Sequence, residues 1–120
     1  IATPHPFHFE AARAALSAGK GVLCEKPACL WRSQVETLAD IAARRNVLFV
    51  EAMWTRFLPA YKIAKQWLGS IGEVHSLTAS FCALSRLGPE SRLFDPALGG
   101  GALYDLGCYP LAFAQGVFGT

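Results

Sequence analysis

The shape of its apolar runs constrains this chain most. "VLC" (Val22 to Cys24) and "VLFVEA" (Val47 to Ala52) are short and continuous, not alternating. A continuous run is the mark of a strand buried on both faces, the habit of parallel sheets. Parallel neighbours need a crossover, usually a helix, and stretches of helical period stand before and between the two runs. The opening "IATP" reads as the last residues of one more strand. Strand, helix, strand, helix, strand predicts an α/β fold, half of a doubly wound parallel sheet.

The first helix is expected from about Pro6 to Ala18, with Pro4 or Pro6 in its opening turn and Gly19 as its C-terminal cap. Glu10, Arg13 and Ser17 share one face of it, and His8 falls on the apolar side among Ala11, Ala12 and Ala15. "SQVE" (Ser33 to Glu36) reads as a capping box opening a second helix. That helix runs to Arg45 with Val35, Leu38, Ile41 and Ala42 inward, and Asn46 ends it in the left-handed conformation. Ligands of such sheets bind outside the carboxyl ends of the strands. The strand ends at Thr3–Pro4, Glu25–Lys26–Pro27 and Glu51 to Arg56 therefore converge on one crevice.

The pattern changes between residues 53 and 72, where a second domain is expected to begin. Pro59 starts a helix that Gly69 stops. Over residues 73 to 84, His75, Leu77, Ala79 and Phe81 alternate with Ser76, Thr78 and Ser80, which predicts an antiparallel sheet exposed on one side. "GGGALYDLGCYP" leads from a glycine loop into a helix.

A hydrophobic fraction of 52% and a charged fraction of 17% suit a packed core. The formal net charge of +2 is spread along the chain, so no nucleic-acid surface or polybasic membrane patch is expected. No apolar run approaches the ~20 residues of a membrane span, and no signal-peptide pattern is seen. Cys24, Cys29, Cys82 and Cys108 make neither a CxxC pair nor a zinc-finger spacing and read as reduced cytoplasmic thiols. The start without methionine and the stop just after a helix read as a piece of a longer protein.

Several groups carry possible chemistry. Lys26, at a strand end in the crevice, can donate hydrogen bonds or move a proton, or can belong to an ordinary surface turn with Glu25 and Pro27. Asp105 and Tyr109 are four apart on a helix and share a face. With Lys26, Tyr109 makes a credible proton-transfer pair; the alternative is a surface pair in which the tyrosine packs. Gly99, Gly100 and Gly101 suit a phosphate cradle or close backbone packing. His5 and His8 have no third ligand on their face, so no metal site is expected. A neutral His8 could orient a hydroxyl or be a satisfied core residue. Trp54 and Arg56 could wall a pocket and bind a polar group, or simply pack. No GxSxG elbow is present.

These segments together resemble one family. "IATPHPFHFEAARAALSAGKGVLCEKP" is similar to the TP…H…E…AL…AGK…V…EKP signature of the Gfo/Idh/MocA oxidoreductases. "VEAMWTRFLPAYKIAKQWL…IGEV" and "DPALGGGALYDLGCYP" resemble its branch holding dimeric dihydrodiol dehydrogenase and NADP-dependent D-xylose dehydrogenase. The resemblance implies that residues 1–55 are the C-terminal part of a Rossmann domain binding NADP, or else NAD. Residues 56–120 would begin an α+β substrate and dimerisation domain with a large, mostly antiparallel sheet. It implies that Thr3, Pro4, His5, Glu25, Lys26, Pro27, Trp54 and Arg56 line the cofactor. His8, Trp54, Asp105 and Tyr109 would line the substrate, and Lys26–Pro27 would be a cis bond.

The chemistry so implied is hydride transfer between C4 of the nicotinamide and a carbinol carbon, C1 of an aldose or that of a trans-dihydrodiol. Tyr109 would be the acid/base, Lys26 would stabilise its phenolate and Asp105 would orient Lys26 or the substrate; the reverse assignment makes Lys26 the proton carrier. The full-length parent would be a cytoplasmic homodimer. The family's glycine-rich pyrophosphate loop precedes the TP segment and is not in this sequence, so the 120 residues alone are expected to bind cofactor poorly. The competing reading is a binding protein that keeps the fold without catalysis.

Overall fold

The computed structural model describes residues 1–119. A 3-10 turn (His5–Phe7) runs into helix α1 (His8–Ser17), followed by strand β1 (Val22–Cys24), helix α2 (Arg32–Arg45) and strand β2 (Phe49–Glu51). A 3-10 turn (Trp54–Phe57) leads to helix α3 (Pro59–Leu68). A third 3-10 turn (Pro96–Leu98) and a π-helical turn (Leu103–Gly107) precede helix α4 (Cys108–Phe118).

The two strands pair in parallel, with Val22 opposite Phe49, Leu23 opposite Val50 and Cys24 opposite Glu51. The other edge of β1 is taken by Ile1. Its amino group donates to the Leu23 carbonyl at 2.7 Å, and the Glu25 N–H donates to the Ile1 carbonyl at 2.9 Å. The opening residues thus stand beside β1 as the end of a strand would. The βαβ reading holds, and the chain is of α/β class with a parallel sheet, but burial on both faces does not: Leu23 and Leu48 are exposed, because α1 and α2 cover the face that carries Val22 and Cys24.

The core lies between α1, α2 and the sheet. Ala12 and Leu16 of α1 meet Leu38 and Ala42 of α2 over Val22, Cys24 and Cys29. Leu16 and Leu38 are fully buried, each worth about 1.5–3 kcal/mol relative to exposure. Burial pushes the Cys29 thiol up to about 11, helped by the charges of Cys24 and Glu51, so this core thiol stays protonated at neutral pH. Gly19 ends α1 in the left-handed region (φ 73°), where a Cβ would be strained. The N–H groups of Gly19 and Lys20 return to Leu16 and Ala15. Asn46 ends α2 at φ 52°.

Three expectations are corrected. The capping box does not form: α2 begins at Arg32 after an extended Trp31, with no side-chain cap. Ser33 therefore lies inside the first turn, where its carbonyl accepts from Thr37 and cannot serve a start two residues earlier, while Glu36 pairs with Arg32 at 2.7 Å. Val35 is exposed, because the buried stripe of α2 runs through Leu38 and Ala42. Residues 73–84 form no strand. Period-two sequence makes a face, but a strand also needs a neighbour to pair its N–H and C=O groups, and none among the described residues is beside it.

Candidate active site

The first and second strand ends meet as the sheet topology requires. Ala52 N–H donates to the Cys24 carbonyl at 2.7 Å, and Ala28 N–H donates to the Glu51 carboxylate at 2.8 Å. The Lys26–Pro27 bond is cis, as the resemblance implied. From this edge Lys26 crosses to the turn before α4. Its ammonium donates to the Asp105 main-chain oxygen at 2.5 Å and to Oδ1 at 3.0 Å, with the two side chains only 12% and 26% exposed. Burial alone would lower the Lys26 pKa, but the hydrogen bond and charge of Asp105, with smaller help from Tyr109 and Cys108, outweigh it and raise the value above normal. At neutral pH Lys26 is an ammonium held in place.

The same ammonium stands 4.9 Å from the ring centroid of Tyr109, within cation–π range. Lys26 thus covers the face of the ring. The Tyr109 oxygen instead accepts from the Trp54 indole N–H at 2.9 Å, and the two rings meet edge to face at 5.8 Å. Asp105 and Tyr109 do not lie on one regular α-helix, as the sequence suggests: the π-helical turn Leu103–Gly107 carries Asp105, and α4 begins at Cys108. Such turns are frequent at functional sites. Both residues nonetheless reach Lys26.

A cavity of about 330 Å³ opens at the strand ends, lined by Thr3, Pro4, His5, Glu25, Lys26, Arg92 and Asp105 among others. Glu25 is exposed and accepts the Lys26 main-chain N–H at 3.2 Å. His5 is buried, and its Nδ1–H donates to the Gly99 carbonyl at 3.0 Å. Burial lowers the His5 pKa, the Gly99 bond partly offsets this, and the charges of His8, Arg92 and Lys26 add to the lowering. His5 is therefore a neutral tie between the first turn and the glycine loop as well as a cavity wall. His8 is fully buried, with Nδ1 at 2.9 Å from the Pro27 carbonyl and Nε2 at 2.8 Å from that of Thr3. Both nitrogens face main-chain carbonyls, which only accept, so a neutral ring donates to one of them at a time; the ring lies between two strand ends and neither nitrogen is directed at a substrate hydroxyl.

Arg92 is the residue that sequence reasoning missed. It was one of several scattered cations, 66 positions from Lys26 in the chain. The glycine loop brings it to the cavity. An added Cβ at Gly100 would fall 2.7 Å from the Arg92 carbonyl, and one at Gly99 (φ 70°) would fall 3.0 Å from the His5 side chain. Close packing thus accounts for Gly99 and Gly100, while Gly101, with open space around an added Cβ, is accounted for by its positive φ of 115°.

A second cavity, of about 370 Å³, is walled by Tyr61, Phe81, Tyr109 and Phe113, with Arg56, Thr78 and Ser80 among the rest. Here two predicted cofactor residues change place. Arg56 pairs with the Gln115 side chain and braces α4, and neither it nor Trp54 lines the cavity holding Thr3 and Glu25. Trp54 instead meets Tyr109.

The first cavity fits part of a dinucleotide. It sits at the carboxyl edge of a parallel sheet, Glu25 offers an exposed carboxylate for sugar hydroxyls, and Lys26 and Arg92 offer cationic donors. Among the described residues no group of three His, Cys, Asp or Glu side chains is placed to hold a metal ion. No helix among them is long and apolar enough to cross a membrane.

This fold and this edge are those of a dinucleotide-binding oxidoreductase. Residues 1–52 match the oxidoreductase family with NAD-binding Rossmann fold, and residues 61–120 match the GFO/IDH/MocA C-terminal domain. The chain belongs to the Gfo/Idh/MocA family of NAD(P)-binding oxidoreductases. It is 40% identical over 121 residues to trans-1,2-dihydrobenzene-1,2-diol dehydrogenase of Bos taurus, covering 99% of this chain and 36% of that one. It is 35% identical over 124 residues to the D-xylose 1-dehydrogenase (NADP(+)) of Hypocrea jecorina, covering 94% and 32%. Among solved structures it resembles GenD2 from gentamicin A biosynthesis in complex with NAD, with a TM-score of 0.81 and 28% identity over 98% of this chain and 34% of that one. The chain spans about a third of the length of the curated relatives it matches.

Proposed function

We propose that the protein carrying this chain is an NADP-dependent dehydrogenase, with NAD as the alternative cofactor. It oxidises a carbinol carbon, C1 of an aldose or that of a trans-dihydrodiol. The observation that carries this reading is the Lys26 ammonium, fixed by Asp105 against the face of Tyr109 at the carboxyl edge of the sheet. Residues 1–55 supply the cofactor side, through Thr3, Pro4, His5, Glu25, Lys26 and Pro27. Residues 56–120 supply the substrate side, through Asp105 and Tyr109. A cytoplasmic homodimer is part of the same reading.

When bound, the nicotinamide supplies the hydride acceptor. Tyr109 takes the hydroxyl proton as the carbinol C–H is lost and returns it in the reverse direction. Lys26, already charged, acts as the fixed cation beside the phenolate that receives this proton, and not as the base. Asp105 holds that cation in position. The relatives' names support the substrate class, since both describe oxidation of a carbon bearing a hydroxyl next to another. The test is the full-length protein with NADP and either D-xylose or a trans-dihydrodiol. Tyr109→Phe and Lys26→Met should each lower kcat about 10²–10⁴-fold; oxidation unaffected by either change overturns the assignment.

A further inference from the structure

We infer that Trp54 is a positioning residue for Tyr109, its indole N–H fixing the direction of the phenol proton and holding the oxygen when that proton leaves. This rests on Tyr109 being the acid/base.

An indole nitrogen is a donor only. At 2.9 Å from the Tyr109 oxygen, the Trp54 N–H therefore occupies one acceptor direction of that oxygen, and the phenol's own hydrogen must point elsewhere. The indole is itself constrained. Its main-chain N–H returns to the Ala52 carbonyl at 2.9 Å just beyond β2, and its ring meets that of Tyr109 edge to face. Phe81 lies against the tyrosine as well, with ring centroids 4.7 Å apart. Lys26, Trp54 and Phe81 thus all pack on the tyrosine, and among the described residues only Trp54 hydrogen-bonds its oxygen.

The bond changes strength during the reaction. In the oxidation direction the substrate O–H bond breaks, its proton forms a bond to the Tyr109 oxygen, and the hydride passes to the nicotinamide. Before that transfer the oxygen carries negative charge, and a hydrogen bond to a charged acceptor is about twice as strong as a neutral one. In the reduction direction negative charge develops on this oxygen as its proton leaves, so the bond strengthens toward the transition state and acts on the rate of that direction and not on uniform binding. Lys26, over the ring face, contributes charge but not this direction.

The experiment is a double-mutant cycle in the full-length protein. Trp54→Phe should lower kcat for reduction of the carbonyl product by NADPH about 5–20-fold with KM for both little changed, and the solvent isotope effect on kcat should rise. Added to Tyr109→Phe, it should cost nothing further, because a residue acting through another has no effect once that other is gone. A full additional loss in the double variant, or an unchanged kcat in Trp54→Phe, overturns the inference. Activity surviving in Tyr109→Phe alone sinks the acid/base assignment instead. Should Trp54→Phe not fold, exchange of the Trp54 indole proton is followed by NMR. It should exchange about tenfold faster in Tyr109→Phe than in the parent, and equal rates overturn the inference.

Discussion

The Lys26 ammonium spans 79 positions of sequence to donate to both the main-chain oxygen and the carboxylate of Asp105. This pair joins the strand-end turn of the Rossmann unit to the turn that opens α4. It also sets the charge at the centre of the candidate site.

That charge predicts an alkaline transition. The folded pKa of Lys26 is raised above its ordinary value of 10.5 because Asp105 outweighs the opposing cost of burial. The pair's contribution is fully present below the unfolded value and is lost as pH rises through the higher folded one. Urea unfolding of the parent should lose about 1–3 kcal/mol relative to Lys26→Met as pH is raised from 8 to beyond 11. An identical alkaline profile in the two proteins would contradict the pairing.

His5 predicts the opposite limb. Burial lowers its folded pKa below 6.5, so the neutral form is favoured in the fold. Its contribution is present above the unfolded value and is lost as pH falls through the lower folded one. His5→Asn should flatten the loss of stability seen by circular dichroism below pH 6.5. The parent would have no such loss if His5 were solvated.

Gly99 and Gly19 separate backbone strain from crowding. Both have positive φ, but an added Cβ at Gly19 meets nothing within 4 Å, whereas at Gly99 it meets His5 at 3.0 Å and Leu30 at 3.2 Å. Gly19→Ala should cost roughly 1–2 kcal/mol from the left-handed backbone alone. Gly99→Ala should cost more, with a lower denaturation midpoint. Equal losses would show that the loop yields and that the His5 contact does not hold it.

The sheet and its edge were legible because continuous apolar runs of "VLC" and "VLFVEA" allow little else. The caps at Gly19 and Asn46 were legible because a left-handed residue has few candidates. The start of α2 was not, because "SQVE" satisfies the capping rule locally, while the actual start lies at Arg32 where the chain leaves the buried Ala28–Cys29 segment. The strand predicted over residues 73–84 failed for want of a neighbour, a condition that alternation does not encode. Within the site, Lys26, Asp105 and Tyr109 were legible by residue type and family signature. The roles of Trp54 and Arg56 were not, since a donor's target is set by what lies across the fold.

By itself, the sequence determined the strands β1 and β2 and the helices around them, that their ends gather at one edge, and, through resemblance to a family, that Lys26, Asp105 and Tyr109 belong to one pattern. Periodicity and the few residues that tolerate special backbone angles suffice for the elements and their edge. Tertiary structure alone decided that Asp105 holds the Lys26 charge, that Trp54 and not Lys26 donates to the Tyr109 oxygen, that both nitrogens of His8 face main-chain carbonyls, and that Arg92 enters the cavity. Hydrogen bonds are directional over about 3 Å, and residues far apart in sequence are brought within that range only when the elements pack.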